Sequence, residues 1–141
     1  MSERMTAAEL LKSQSKTRKS SARDEDPIHK GILDLLGRVL RPDAVVHHSP
    51  NENGMAGDKK SRIIAIAKAK ALGMRPGWPD LEIGCDGSMH FLEVKTATGP
   101  LSEDQKAVIE DLERAGFKVA VVRSVTEAHE KLKQWGLCRN G

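Results

Sequence analysis

The chain of 141 residues has few aromatic residues, few cysteines and no long apolar run. It contains two Trp, two Phe and no Tyr, which predicts an aliphatic core and argues against base stacking on aromatic platforms as the main binding mode. Two cysteines that lie far apart in the sequence, Cys85 and Cys138, form neither a metal motif nor a disulfide framework. Because the chain also shows no membrane span and no signal peptide, we expect a cytoplasmic protein.

The basic residues are unevenly distributed. The formal net charge is +3, which suits a polyanionic partner without requiring one. Residues 11–23 include five basic side chains and no acidic one, a run that fits either contact with phosphates or a solvated linker. The length fits one domain. We therefore predict a folded domain at residues 24–141, preceded at residues 1–23 by a short helix and a basic, flexible linker.

Helical and strand patterns alternate along the predicted domain. Apolar residues spaced by three and four predict helices at 27–40, 58–72, 103–115 and 126–135. The second of these is amphipathic, and the third follows the capping-box pattern Ser102-Glu103-Asp104-Gln105. Short β-branched and apolar runs predict strands at 44–48, 81–83, 89–94 and 117–122. The last strand is apolar enough to predict a central position covered on both faces. This order predicts an α/β sandwich around a mixed sheet.

The dipeptide Asp86-Gly87 predicts a tight hairpin between the second and third strands, because both central residues of a type I′ turn need positive φ. That turn places Asp80 directly opposite Glu93, with the Cβ atoms roughly 4.5–5.5 Å apart. Lys95 follows Glu93 by two residues and projects from the same face of the strand. The hairpin thus gathers two carboxylates and an ammonium group.

This predicted cluster has two interpretations. Opposed carboxylates repel each other unless a cation lies between them, and Mg²⁺ prefers such hard oxygen ligands. Lys95 would then orient or deprotonate a water molecule near the metal. Alternatively, Lys95 forms an ordinary salt bridge with Asp80 or Glu93 on a solvated face. Phe91 on the same face argues against full solvation.

The same residues resemble a known signature. Pro79-Asp80 followed by Glu93-Val94-Lys95 resembles the PD-(D/E)XK nuclease motif. The narrower resemblance, over residues 25–128, is to the VRR-NUC branch, with Gly77 before Pro79 and Gln105 on the following helix. It implies a restriction-endonuclease-like α-β-(α)-β-β-α-β-α sandwich.

The resemblance also implies a Mg²⁺- or Mn²⁺-dependent endodeoxyribonuclease. In it, Lys95 would position the attacking water and Gln105 would support the site. The first helix would supply one further acid, for which Glu25 is the candidate and Asp26 the alternative. The implied metal ligands are Asp80, Glu93, the Val94 carbonyl and Glu25. Standalone phage or bacterial relatives imply a homodimer that cuts branched DNA, such as a four-way (Holliday) junction or a flap.

Several other residues are candidates for contact with the DNA backbone, although a solvated surface explains the basic ones equally well. They are Lys59, Lys60, Lys70, Arg75, Trp78 and His48. Two further functions stay open: a non-catalytic DNA-binding module, and a partner-recruited phage packaging or replication factor on a nuclease-like fold. An HNH site is disfavoured because no histidine follows His47-His48 in the next segment.

Overall fold

The structure, a computed structural model, describes residues 17–49 and 58–139, with side chains from residue 26 onward in the first range. The short N-terminal helix predicted before residue 12 lies outside these residues. The elements of the described ranges are α1 (Thr17–Val39), β1 (Val45–His48), α2 (Lys59–Ala71), β2 (Leu81–Cys85), β3 (Ser88–Val94), α3 (Glu103–Arg114), β4 (Lys118–Val122) and α4 (Val125–Gln134).

The strands form one mixed sheet in the order β1-β2-β3-β4. β1, β2 and β3 are antiparallel neighbours, whereas β4 runs parallel to β3. The parallel step requires a crossover connection, and α3 provides it. This architecture confirms the predicted α-β-(α)-β-β-α-β-α sandwich.

The hairpin between β2 and β3 has the predicted turn. Asp86 and Gly87 have φ values of 55° and 74°, and Cys85 pairs with Ser88. The register continues to the pair Leu81–Leu92 at the far end of the hairpin. The next two residues outward are Asp80 and Glu93, as the two-residue turn predicts.

The sheet is covered on both faces. α1 and α4 cover one face, where Ile32, Leu36, Ile83 and Leu132 are buried in the larger hydrophobic cluster. On the other face, α3 contributes Val108 and Leu112 to a smaller cluster around Phe91. Each buried aliphatic side chain contributes on the order of 2 kcal/mol to folding. The core therefore fixes β2 and β3 from both sides and leaves the end of the sheet for polar residues.

Three elements differ from the sequence predictions. α1 begins at Thr17 and includes Pro27, which the sequence indicated as a first helical residue. β4 contacts both α3 and α4, as predicted for a strand covered on both faces, but it is the outermost strand on its side of the described sheet rather than a central one. α2 forms where the sequence predicts an amphipathic helix, yet no residue of this helix is buried.

The predicted division between an arm at residues 1–23 and a domain at residues 24–141 stays a prediction, because the first sixteen residues lie outside the described ranges. Among the described helices, none has the length and apolar character that a membrane crossing needs.

Candidate active site

Three ionisable side chains are buried together at one end of the β2–β3 hairpin. Asp80 precedes β2, Glu93 lies near the end of β3, and Lys95 follows β3 directly. Their exposed fractions are 6%, 3% and 8%. Charged residues are rarely so enclosed unless they are paired or bind an ion. The alternative interpretation is therefore wrong about a solvated face, although Lys95 does form an ion pair with Glu93.

The Asp80 carboxylate lies against the neighbouring strand. Its Oδ2 accepts a hydrogen bond from the Val94 main-chain N–H at 2.7 Å. On the other side, the main-chain carbonyl of Asp80 accepts from Ser49 N–H at 2.9 Å, which ties the end of β1 to the same point. Asp80 is thus held by β1 and β3 together, and its side chain reaches the strand that carries Glu93.

The side chain of Gln105, in the first turn of α3, holds Glu93 in place. Ser102 and Gln105 form a capping box at the start of α3, in which Gln105 Oε1 accepts from Ser102 N–H at 2.8 Å. The Nε2 end of the same amide donates to Glu93 Oε2 at 2.9 Å. A glutamate could fill the first role but has no N–H for the second. The capping pattern was visible in the sequence, whereas this double use of the amide was not.

Lys95 completes the cluster. Its Nζ lies 3.9 Å from Glu93 Oε2, and its main-chain N–H donates to Val122 O at 3.0 Å in β4. Two carboxylates and one ammonium group are thus enclosed together, and carboxylate oxygens are ligands that a small divalent cation prefers.

Gly77 allows the segment before Asp80 to pass close to α3. Its φ is +85°, and a Cβ atom there would lie 2.6 Å from the main-chain carbon of Asp104 and 2.7 Å from Gln105 N. Glycine is required here both by backbone conformation and by space. The Gly77 of the sequence motif therefore has a structural role: it lets Asp80 and Gln105 approach the same site from two elements.

The first helix approaches this end of the sheet from the other face. The Glu25 side chain lies outside the described part of the structure, and Asp26 is exposed. One turn further along α1, the His29 ring lies 4.6 Å from the ring of His48. Burial and the neighbouring His48 lower the pKa of His29, while the charges of Asp80 and Asp26 oppose the shift. This part of α1 lies near the site, because His48 pairs with Leu81, the residue after Asp80.

Some of the candidate DNA-contacting side chains are exposed, whereas others already bind another residue of the protein. Lys59, Lys60 and Lys70 are exposed on α2, and His48 is exposed at the end of β1. Arg75 pairs with Asp111 of α3 at 2.6 Å.

Trp78 is half-buried rather than free. Its Nε1 donates to Glu82 at 2.5 Å and its ring packs edge-on against Phe91 at 5.7 Å. Its orientation is therefore fixed beside the carboxylates.

A second acidic group lies at the other end of the hairpin. Asp43, Cys85 and Asp86 place ligand atoms within 4.8 Å of one another. The Arg41 guanidinium already binds both acids, at 3.0 Å from Asp43 and 2.6 Å from Asp86. Hydrogen bonding to Asp86 raises the pKa of Arg41, and burial raises the pKa of the Cys85 thiol, whose neutral form is a poor metal ligand.

This second group is an ion-paired cluster that sequence reasoning missed, because Arg41 and Asp86 are 45 residues apart. At about 3.3 Å per strand residue, it lies roughly 17 Å from Asp80 along β2. The donor set at Asp80 and Glu93 fits a divalent cation better, since it consists of hard carboxylate oxygens and includes no thiol.

A mixed sheet with two acids and a lysine at one end defines a nuclease-type fold of the PD-(D/E)XK superfamily. The profile of the VRR-NUC domain family matches residues 43–126, more than half of the chain. The chain belongs to the VRR-NUC domain family.

A solved structure described as a "VRR_NUC domain protein" has the same fold. It is 22% identical, the match covers 79% of this chain and 86% of that chain, and the TM-score is 0.62. This likeness concerns the fold alone. No curated protein matches the chain.

Proposed function

We propose that this protein is a divalent-metal-dependent endonuclease that hydrolyses phosphodiester bonds in DNA. One observation carries the proposal: Asp80, Glu93 and Lys95 are all present, all buried, and held together at one end of the sheet. A fold that only bound DNA would have no need to enclose two acids and a lysine against their desolvation cost.

The residues have distinct proposed roles. Asp80, Glu93 and the Val94 carbonyl would hold Mg²⁺ or Mn²⁺, with an α1 acid, Glu25 or Asp26, as a further ligand. When bound, the cation would polarise the scissile phosphate and lower the pKa of a water molecule. Lys95 would orient that water for attack on phosphorus, so that one P–O ester bond breaks as the new one forms. Gln105 would keep Glu93 in its ligating orientation.

The charge of α2 suits contact with a polyanion. α2 has five basic residues and no acidic one, and its lysines are exposed. Contacts from Lys59, Lys60 and Lys70 would add affinity without sequence preference. Trp78 and His48 would contact DNA nearest the site. Arg75 would also contact the DNA and would keep its ion pair with Asp111 of α3.

For the substrate, we propose branched DNA, such as a four-way junction or a flap, cut by a homodimer. This finer assignment rests on the resemblance of the chain to standalone members of its family. Two active sites in one dimer would act on two strands.

A cleavage assay tests the function. The full chain is incubated with four-way junction, flap, single-stranded and plain duplex DNA in Mg²⁺, Mn²⁺ or EDTA. We expect metal-dependent cutting that is fastest on a branched substrate. Asp80→Ala and Lys95→Ala should abolish it, and Lys95→Ala should largely retain DNA binding. Asp80→Asn keeps an oxygen acceptor for the Val94 N–H and so controls for misfolding.

The control variant is Asp43→Asn, which removes an acid from the Arg41 cluster and should cut normally. Binding without cutting by the wild-type chain, in every metal, would instead support a DNA-binding module. Cutting that appears only with a second protein would support a partner-recruited factor. Cleavage by Asp80→Ala at the wild-type rate would overturn the site assignment.

A further inference from the structure

Lys95 and Gln105 lie at opposite ends of one connection, from the end of β3 to the first turn of α3. Near its start, this connection makes a tight turn in which Gly99 N–H donates to Thr96 O at 3.3 Å. A single hydrogen bond of that length is weak. A further contact is therefore needed to hold the turn in place, so that Lys95 and Gln105 both face Glu93.

Arg123, which directly follows β4, contacts both ends of this turn. Its Nη1 donates to Thr96 O at 2.8 Å and to Gly99 O at 2.7 Å. Charged donors form stronger hydrogen bonds than neutral ones. Arg123 is itself fixed, because its main-chain N–H donates to Glu127 Oε1 at 2.8 Å in the first turn of α4. The guanidinium therefore ties the turn to the connection between β4 and α4.

The turn also packs closely on the lysine. Gly99 is buried, and a Cβ atom there would lie 2.8 Å from Thr96 Oγ1 and 3.7 Å from Lys95 Cδ. A shift of the turn would therefore move the groups against which the Lys95 side chain packs. It would also pull on the segment that leads to the Ser102–Gln105 capping box.

We propose that Arg123 is a positioning residue of the cleavage site, which holds the Thr96–Gly99 turn so that Lys95 and Gln105 both face Glu93. The inference rests on the proposed nuclease function. Arg123 is not one of the motif residues on which the family resemblance rests, and it lies more than ten positions after the last of them, Gln105. Arg123 acts through the turn and makes no contact with the reacting atoms in this account.

Three variants separate positioning from charge and from stability. Arg123→Ala removes the guanidinium, and Arg123→Lys keeps the charge on a shorter side chain, which reaches less far toward the two carbonyls that Nη1 binds. The matched control is Arg38→Ala, which removes an exposed arginine that pairs along α1 with Asp34. Each variant is assayed at a temperature at which circular dichroism shows it to be fully folded.

The main readout is kcat against KM with Mn²⁺, on the substrate that the wild-type chain cuts best. We expect kcat to fall about 10- to 100-fold in Arg123→Ala with little change in KM, since small misplacements of catalytic groups have effects of this size. Arg123→Lys should be impaired nearly as much, and added guanidinium ion should partly restore Arg123→Ala. Arg38→Ala should match the wild type.

Hydrogen exchange supplies a readout that does not depend on activity. The Gly99 amide should exchange faster in Arg123→Ala than in the wild type or Arg38→Ala. Unchanged exchange would overturn the proposal whatever the activity, and so would faster exchange with an unchanged kcat. A wild-type chain that cuts no DNA would instead refute the proposed function. The role of Arg123 in cleavage would then be refuted too, even if the Gly99 amide still exchanged faster in Arg123→Ala.

Discussion

Replacing Gln105 by glutamate separates the two roles of its side chain, which caps α3 and donates a hydrogen bond to Glu93. The glutamate can still accept from Ser102 N–H, as in the commonest capping box, so α3 should keep its start. It cannot donate to Glu93, and a second carboxylate oxygen then faces Glu93 Oε2 at about the 2.9 Å of the original hydrogen bond. The change therefore tests the contact with Glu93 without removing the cap.

The size of the effect follows from this geometry. A hydrogen bond to a charged group contributes about 1.5–3 kcal/mol. Two unit charges 2.9 Å apart would repel by roughly 6 kcal/mol at an effective dielectric constant of about 20. Two carboxyls at this distance avoid that cost by sharing a proton, which raises the pKa of one of them. Below that raised pKa the shared proton removes most of the repulsion. Above it, we expect the metal-free protein to lose at least the roughly 1.5–3 kcal/mol of the hydrogen bond.

The assay is urea unfolding of the metal-free chain across a pH series. In Gln105→Glu, the carboxyl with the raised pKa is protonated as pH falls and becomes a donor again, so the deficit should shrink toward acidic pH. The control is Ser102→Ala, which removes the cap but leaves the Gln105 amide. It should lose about 1 kcal/mol without this pH dependence.

The reasoning would be refuted by a Gln105→Glu protein whose stability equals that of the wild type at mildly alkaline pH. A deficit that is the same at every pH would also contradict it, since it would indicate damage to packing rather than opposed carboxylates.

Gly77→Ala should be less stable than Gly73→Ala by unfolding assays, because both glycines have positive φ but only Gly77 would place a Cβ against the α3 backbone; equal losses would show that φ alone matters. The lowered pKa of His29 predicts that stability declines as pH falls through the ordinary histidine value of 6.5, where the unfolded chain takes up a proton that the folded chain resists. His29→Gln should flatten this decline in a pH series, whereas His129→Gln should not; identical slopes in all three proteins would exclude His29 as the cause.

Local sequence signals fixed the geometry that matters most for the candidate site. A turn at Asp86-Gly87 has few alternatives, because the two residues need positive φ and the flanking strands then have one register. That register alone predicted the approach of Asp80 and Glu93. The cap at Ser102 was equally readable, since a capping box involves residues only three positions apart.

Features that depend on contacts between distant segments were not predictable. The sequence favours a helix start at Pro27, but α1 begins at Thr17 and continues through the proline. Periodicity in α2 indicated an apolar stripe, yet nothing in the pattern tells whether another element covers it. No local pattern predicts the hydrogen bonds from Arg41 to Asp86 and from Arg123 to Gly99, because they join residues 45 and 24 positions apart.

The location of the bound cation tests the central claim most directly. Small amounts of Mn²⁺, which broadens nearby amide signals, are titrated into the isotope-labelled chain and followed by NMR. The account predicts that the signals of Lys95 and Gln105 broaden first, that the hairpin signals of Cys85 and Gly87 stay sharp, and that Asp80→Asn removes the effect. Broadening that begins at Cys85 and Gly87, and persists in Asp80→Asn, would place the metal at the Arg41 cluster and contradict the assignment.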